Sequence, residues 1–398
     1  MALKIKFKTF SLIIVAFLTF ISYGQNQPLL IPSNINLPKD TIVSNNLIKS
    51  LNGFLSQKEN ENKTNTYVLK GDLLETSILL DEMKEIEKSG KYKDDNFFKG
   101  YLNNVVALDE NNFLIQFSYI GINENAPILR AVFEVLAKQK EGVFYFLSPL
   151  KRNTISWKVQ KIGNITFHYK NTLNQKIAKK YVKSVALLDV KLQPQNNKIE
   201  WYGCTDVPEI LNNIGVAYKL DYNAEQSSTF SAFENSTCLL VDGSQNEHFD
   251  SFDPHDLWHD RLRNVYPRNI TSQPVDEGCA YLYGGSWGIS WQQILKIFKD
   301  KVASNPKTDW LEQALYETGQ INFGESKQKH LMADYVVNAL LVQKIEKEKG
   351  FNAVVELLCS GQNRKGGNEN YFKVLEKLTG ITKANFNESV WALIEQSK

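Results

Sequence analysis

Residues 255–288 read His255-Asp256-Leu257-Trp258-His259 and then DRLRNVYPRNITSQPVDEGCAYLYGGSWG. His255 and His259 are four residues apart, and an α-helix brings the side chains of i and i+4 onto one face. A divalent cation can sit between two such imidazoles. Zinc in a catalytic site takes three protein ligands and keeps a fourth position for water, so a third ligand must come from another element. Glu277, in Val275-Asp276-Glu277-Gly278-Cys279-Ala280, is the candidate. A short return loop carrying Pro267 and Pro274 would let a second helix pack on the first and bring that carboxylate to the metal.

His255-Asp256-Leu257-Trp258-His259 resembles the H-E-x-x-H motif of zinc metallopeptidases. Asp276-Glu277-Gly278-Cys279-Ala280 resembles the glutamate helix of the gluzincin, or peptidase MA-like, superfamily. The resemblance implies a peptidase acting on peptides or proteins, with one zinc ion held by His255, His259 and Glu277. Position 256 is Asp where the family has Glu, so Asp256 stands in the place of the general base. Gluzincins also take an oxyanion donor, a Tyr or His, from their helical half. The resemblance implies His330 and Tyr335 for that role, with Tyr281 and Tyr283 behind them. Asp276 is either an outer-shell acceptor for a ligand imidazole, since zinc histidines usually donate their other N–H, or an exposed residue of the helix start.

Chemistry sets a condition on Asp256. A zinc-bound water has its pKa brought to about 7, and a carboxylate must come within about 2.6–3.2 Å of the proton it takes. Asp is shorter than Glu by one methylene, roughly 1.5 Å. Either the helix is shifted to compensate, or a second water relays the proton, or the site binds zinc with little turnover.

The chain opens with Lys4, Lys6 and Lys8, an apolar run from Phe10 to Ile21, and Ser22-Tyr23-Gly24 before Gln25. A basic lead, a short apolar core and small residues describe a cleavable secretory signal over residues 1–24. A membrane anchor needs about 20 apolar residues. The protein is therefore expected to be periplasmic or secreted, with no stable anchor after cleavage. With 42% hydrophobic and 12% aromatic residues it can build sizeable cores, and a net charge of +2 over 398 residues argues against a nucleic-acid binder.

The expected fold class is α+β. Residues 25–65, rich in Asn, Pro, Ser, Lys and Gln, read as a partly ordered lead-in. Over 66–162, a helix from Leu73 to Lys88 precedes five alternating segments: 101–108, 113–119, 128–138, 143–147 and 155–162. This small accessory domain loosely resembles the NTF2-like or cystatin-like shape and carries no catalytic constellation. Residues 163–398 open with strand, long helix and strand, then continue through the histidine helix into a mostly helical half. That order resembles a peptidase MA-like domain. Cys204, Cys238, Cys279 and Cys359 show no C-x-x-C spacing; a Cys204–Cys238 bridge and four buried thiols are both open. His168 and His248 read as solvated or structural.

Two function classes compete with the peptidase. One is a non-catalytic descendant that keeps the fold and binds or scaffolds outside the cytoplasm. The other is a carbohydrate or adhesion module using the first domain and aromatics such as Trp287 and Trp291.

Overall fold

The computed structural model describes residues 28–195, 197–302, 305, 308–315, 321–324, 330–361 and 368–397. The expected signal peptide, residues 1–24, lies outside them. The described residues form two compact units, one within 1–156 and 206–232 and the other within 157–205 and 233–398. Both mix helices with sheets, so the class is α+β. No helix of the described residues is long and apolar enough to cross a membrane.

In the first unit, strands β1 (Lys99–Ala107), β2 (Asn112–Asn123), β3 (Ala126–Lys140) and β4 (Val143–Leu147) form a sheet, and α1 (Thr41–Ser56) and α2 (Leu73–Met83) pack on it at β4. The strands alternate as a sheet with one buried face should. Phe113, Ile115, Phe117 and Tyr119 face inward on β2, Phe133, Val135 and Ala137 on β3, and Phe144 and Phe146 on β4. The expected lead-in differs from what is found, because residues 41–56 form a full helix. Asp40 caps its first turn, and Leu47, Leu51, Phe54 and Leu55 form a buried stripe at helical spacing inside a polar composition.

A second difference concerns residues 206–232. β4 is short and pairs only with residues 136–140 of β3, leaving the other end of β3 without a neighbour there. The segment carrying α3 (Leu150–Asn153) ends this first passage through the unit. The chain later returns as the helix Val207–Ile214 and the strand β8 (Val216–Lys219), which pairs with Ala131–Phe133. Residues 155–162, expected in the same meander, instead give β5 (Lys158–Ile162), which pairs with β6 (Ile165–Tyr169) in the second unit.

The second unit begins with that β5–β6 hairpin, followed by α4 (Gln175–Leu192) and β7 (Lys198–Gly203), which lies parallel to β6. After the excursion through α5 (Val207–Ile214) and β8, strands β9 (Thr229–Glu234) and β10 (Thr237–Asp242) complete the sheet in the order β5-β6-β7-β10-β9. In the parallel β7–β10 register, Cys238 sits opposite Ile199 while Gly203 sits opposite Asp242. Cys204 is therefore at the far end of the pair from Cys238, a separation on the order of 15 Å, well beyond disulfide reach. None of the four cysteines is in a disulfide.

The helical half runs α6 (Pro254–Arg263), α7 (Gln273–Gly284), α8 (Trp291–Lys301), α9 (Trp310–Leu315), α10 (Ala333–Lys349), α11 (Phe351–Leu358), α12 (Glu369–Thr379) and α13 (Phe386–Gln396). Trp258, Cys279, Trp310, Val336, Leu341 and Tyr371 belong to its core. α7 packs between α6 and α10. Gly278 makes that approach possible, because a Cβ there would lie 2.7 Å from both the Ala339 nitrogen and the Asn338 carbonyl carbon. Gly278→Ala is therefore expected to destabilise the unit. Overpacking costs about 1–3 kcal/mol, which exceeds the gain in helix propensity of about 1 kcal/mol. A lowered denaturant midpoint at unchanged slope checks it.

Candidate metal centre

α6 starts where Asp253 accepts the backbone N–H of His255 (2.9 Å) and Pro254 occupies the first helical turn. Leu257, Trp258, Arg261 and Leu262 form its buried face, which leaves His255 and His259 at the edge toward α7. Glu277, in the second turn of α7, meets them there. Its Oε2 lies 3.3 Å from His255 Nε2 and 3.6 Å from His259 Nε2, and the two Nε2 atoms are 3.3 Å apart. A tetrahedral ion with bonds of about 2.0–2.1 Å needs ligand atoms about 3.3–3.4 Å apart, so two edges of this triangle have the length of a tetrahedral edge and the third, from His259 to Glu277, is slightly longer. Among the described residues, these three form the only cluster of metal-ligand type.

The far sides of both rings are fixed by acceptors. His255 Nδ1 lies 2.8 Å from the carbonyl oxygen of Gly285 and His259 Nδ1 lies 2.9 Å from Asp276 Oδ1. A carbonyl oxygen and a carboxylate oxygen accept, so both Nδ1 atoms donate and the neutral rings turn lone pairs at Nε2 toward the Glu277 carboxylate. Three acceptors thus face one point, an arrangement that a cation stabilises. In its absence protons take that part. Burial opposes charge on both groups, but Asp276 and Glu277 hold His259 well above the ordinary imidazole range, and His255 and His259 hold Glu277 below the ordinary carboxylate range.

Two glycines place the His255 acceptor. A Cβ at Gly284 would sit 2.4 Å from the Pro254 carbonyl oxygen, and Gly285 takes φ +77°. Only a residue without a side chain fits the first position, and the second favours glycine. The His259 acceptor is built differently. Asp276 is 2% exposed, accepts the indole N–H of Trp258 (2.9 Å) on the same Oδ1, and binds the Arg263 guanidinium through Oδ2. Of the two readings of Asp276, the outer-shell acceptor matches this geometry and the exposed helix start does not.

A cleft of about 370 Å³ opens beside His255, and Asp256, His330 and Tyr335 all line it. Asp256 is exposed and makes no hydrogen bond to the described residues. Partial burial and the neighbouring Asp253 push its carboxyl up. Tyr335 is half-buried, stacks edge-on against Tyr281 at 5.3 Å, and keeps a hydroxyl without a hydrogen bond to the described residues. Burial, Glu277 and Asp334 raise its pKa, so it stays a donor.

His330 is oriented by Asn322. The Asn322 oxygen accepts from the backbone N–H groups of Gly324 and Leu331, so its amide nitrogen donates to His330 Nδ1 (2.7 Å). The proton of the neutral ring is then on Nε2, which makes that atom a donor. Of the two reserve tyrosines, Tyr281 lines the same cleft and Tyr283 is engaged elsewhere. Tyr281 is buried and its hydroxyl accepts the Met332 N–H, while the Tyr283 hydroxyl donates to Glu346. His168 pairs with Glu200 and stacks on Tyr202, and His248 bonds Thr172; neither joins the triad.

The sequence reading missed Trp258, Arg263, the Gly285 carbonyl and Asn322. Arg263 follows His259 by one helical turn, and that spacing was the one available signal; the others depend on where α7 and the 321–332 stretch come to lie. A scan against protein-family models finds no match to this chain, and a search of curated proteins finds none.

Proposed function

We propose that this chain is an exported zinc-dependent peptidase of gluzincin-like type, its second unit arranged as a peptidase MA-like domain and its first unit an accessory domain of NTF2-like or cystatin-like shape. The observation that carries the reading is the triangle of His255, His259 and Glu277 at 3.3–3.6 Å with both outer ring nitrogens donating away from it. The basic and apolar leader at residues 1–24 supports export.

His255, His259 and Glu277 would hold the ion. When bound, zinc polarises a carbonyl and brings the pKa of a bound water to about 7. Asp256 takes the proton of the attacking water and delivers it to the leaving amine, the role that needs an unpaired carboxylate next to a ligand histidine. Tyr335 and His330 Nε2–H offer donors to the oxygen on which charge develops, a contribution worth about 10²–10³ in rate when one donor is removed. Asp276, Trp258 and Arg263 orient His259 and hold its tautomer.

A second reading has one observation in its favour. Asp256 is a methylene short of the family's glutamate and stands exposed at the cleft rim, which suits a peptidase fold that binds a peptide and turns it over poorly. One experiment addresses both: incubation of the mature chain with a defined peptide mixture, read by mass spectrometry, with zinc, after chelation, and after zinc is restored. Cleavage that follows zinc through this cycle is the expected result. Bound but intact peptides favour the second reading, and cleavage indifferent to chelation contradicts the first.

A further inference from the structure

We propose that the cleft beside the triad receives a cationic side chain, lysine or arginine, of a bound peptide. Naming the ligand a peptide rests on the peptidase reading; the charge and shape of the cleft do not. Its volume of about 370 Å³ is near the lower end of ligand pockets, about 300–1,000 Å³. A lysine or arginine side chain fits within it with space to spare.

The charge that the described residues bring to that space is negative. Asp253 and Asp256 both line it, and no Lys or Arg does so among the described residues. One oxygen of Asp253 caps the His255 N–H; its other oxygen and both oxygens of Asp256 make no hydrogen bond or ion pair to a described residue. With a divalent cation held by neutral His255 and His259 and the Glu277 carboxylate, and with Arg263 cancelling Asp276, these two aspartates still leave the described lining one unit negative. Charge of one sign in a concave site draws in ligands of the other.

An aromatic face completes the receptor. Trp287 lines the same cleft at 49% exposure, and its indole N–H is tied to the His330 carbonyl at 3.0 Å. The ring is thus pinned while its face remains open. Between Gly285 and Gly288 its backbone takes φ +53°, a costly conformation for so bulky a residue. A fixed indole beside unpaired carboxylates is a site for an ammonium or guanidinium group. A neutral aliphatic chain would satisfy the ring and leave Asp253 with nothing but water, Asp256 being the carboxylate kept for the attacking water.

The test compares N-acetyl-lysine amide with N-acetyl-norleucine amide, of similar length and different charge, by ligand-observed NMR on the mature chain, zinc-loaded and zinc-free. The lysine derivative should bind about tenfold more tightly. Asp253→Asn keeps a good helix cap and should bring the ratio down several-fold. Trp287→Asn, which tolerates the left-handed backbone, should do the same. Equal binding of the two amides by the wild type, or an unchanged ratio in both variants, overturns the proposal. Zinc stoichiometry measured on the same samples separates the claims. Cation preference without zinc binding sinks the peptidase reading and leaves this one standing, whereas zinc binding without cation preference does the reverse.

Discussion

Asp256→Glu should raise kcat/KM for peptide hydrolysis by about 100-fold, and Asp256→Asn should abolish most of whatever the wild type shows. The first figure follows from geometry. A displacement of about 1 Å from the productive position can cost 10²-fold, and Asp sets its carboxylate back by roughly 1.5 Å. The second follows from removal of a general base, worth about 10²–10⁴. Position 256 is exposed and its side chain has no hydrogen bond to the described residues, so neither change disturbs packing. Zinc affinity should stay the same in both, because the residue is not a ligand. Steady-state kinetics with zinc titrations on the three proteins give the answer. Hydrolysis unchanged in Asp256→Asn means that Asp256 is not the base.

Asp276→Asn is expected to weaken zinc binding by about 10–100-fold, the usual cost of losing an outer-shell partner of a ligand histidine. The reason lies in counting donors. Oδ1 of Asp276 accepts from both Trp258 and His259, and Oδ2 accepts from Arg263. An asparagine has one oxygen for these three donors. If its oxygen faces the rings, its amide meets the Arg263 guanidinium; if it faces Arg263, its amide meets two N–H groups. In the second case His259 can answer only by moving its proton to Nε2, the atom that should bind the ion. Stability should fall as well, by about 3–5 kcal/mol, since one partner of a buried pair has been removed. Asp276 is 3% and Arg263 24% exposed at the side chain, so solvent repairs little of that loss. Isothermal titration with zinc and chemical denaturation measure the two effects separately. Loss of stability with zinc affinity intact would mean that Asp276 serves the fold alone.

What was legible in the sequence is local. The i, i+4 spacing of His255 and His259 needs only helical geometry, and Glu277-Gly278 names both a carboxylate and the glycine that lets its helix close on a neighbour. The strands of the first unit announced themselves through period-2 alternation of large apolar residues such as Phe113, Ile115 and Phe117. What was hidden is tertiary. Nothing in 206–232 says that it returns to fill the open end of β3, because that opening is created by the shortness of a strand sixty residues earlier. Helix 41–56 was masked because its four-residue apolar stripe is diluted by Asn, Ser and Lys. Trp258 reads as an ordinary core residue, and it is one, but its N–H has a second task that appears only when Asp276 is placed beneath it.

The most direct measurement is X-ray absorption at the zinc edge on the mature chain, purified without added chelator and compared with His259→Ala and Glu277→Gln. One ion per chain is predicted, with two imidazole nitrogens and a carboxylate oxygen at about 2.0–2.2 Å, and loss of that signature in both variants. Absence of stoichiometric zinc from the wild type, or an unchanged spectrum in either variant, would contradict the account.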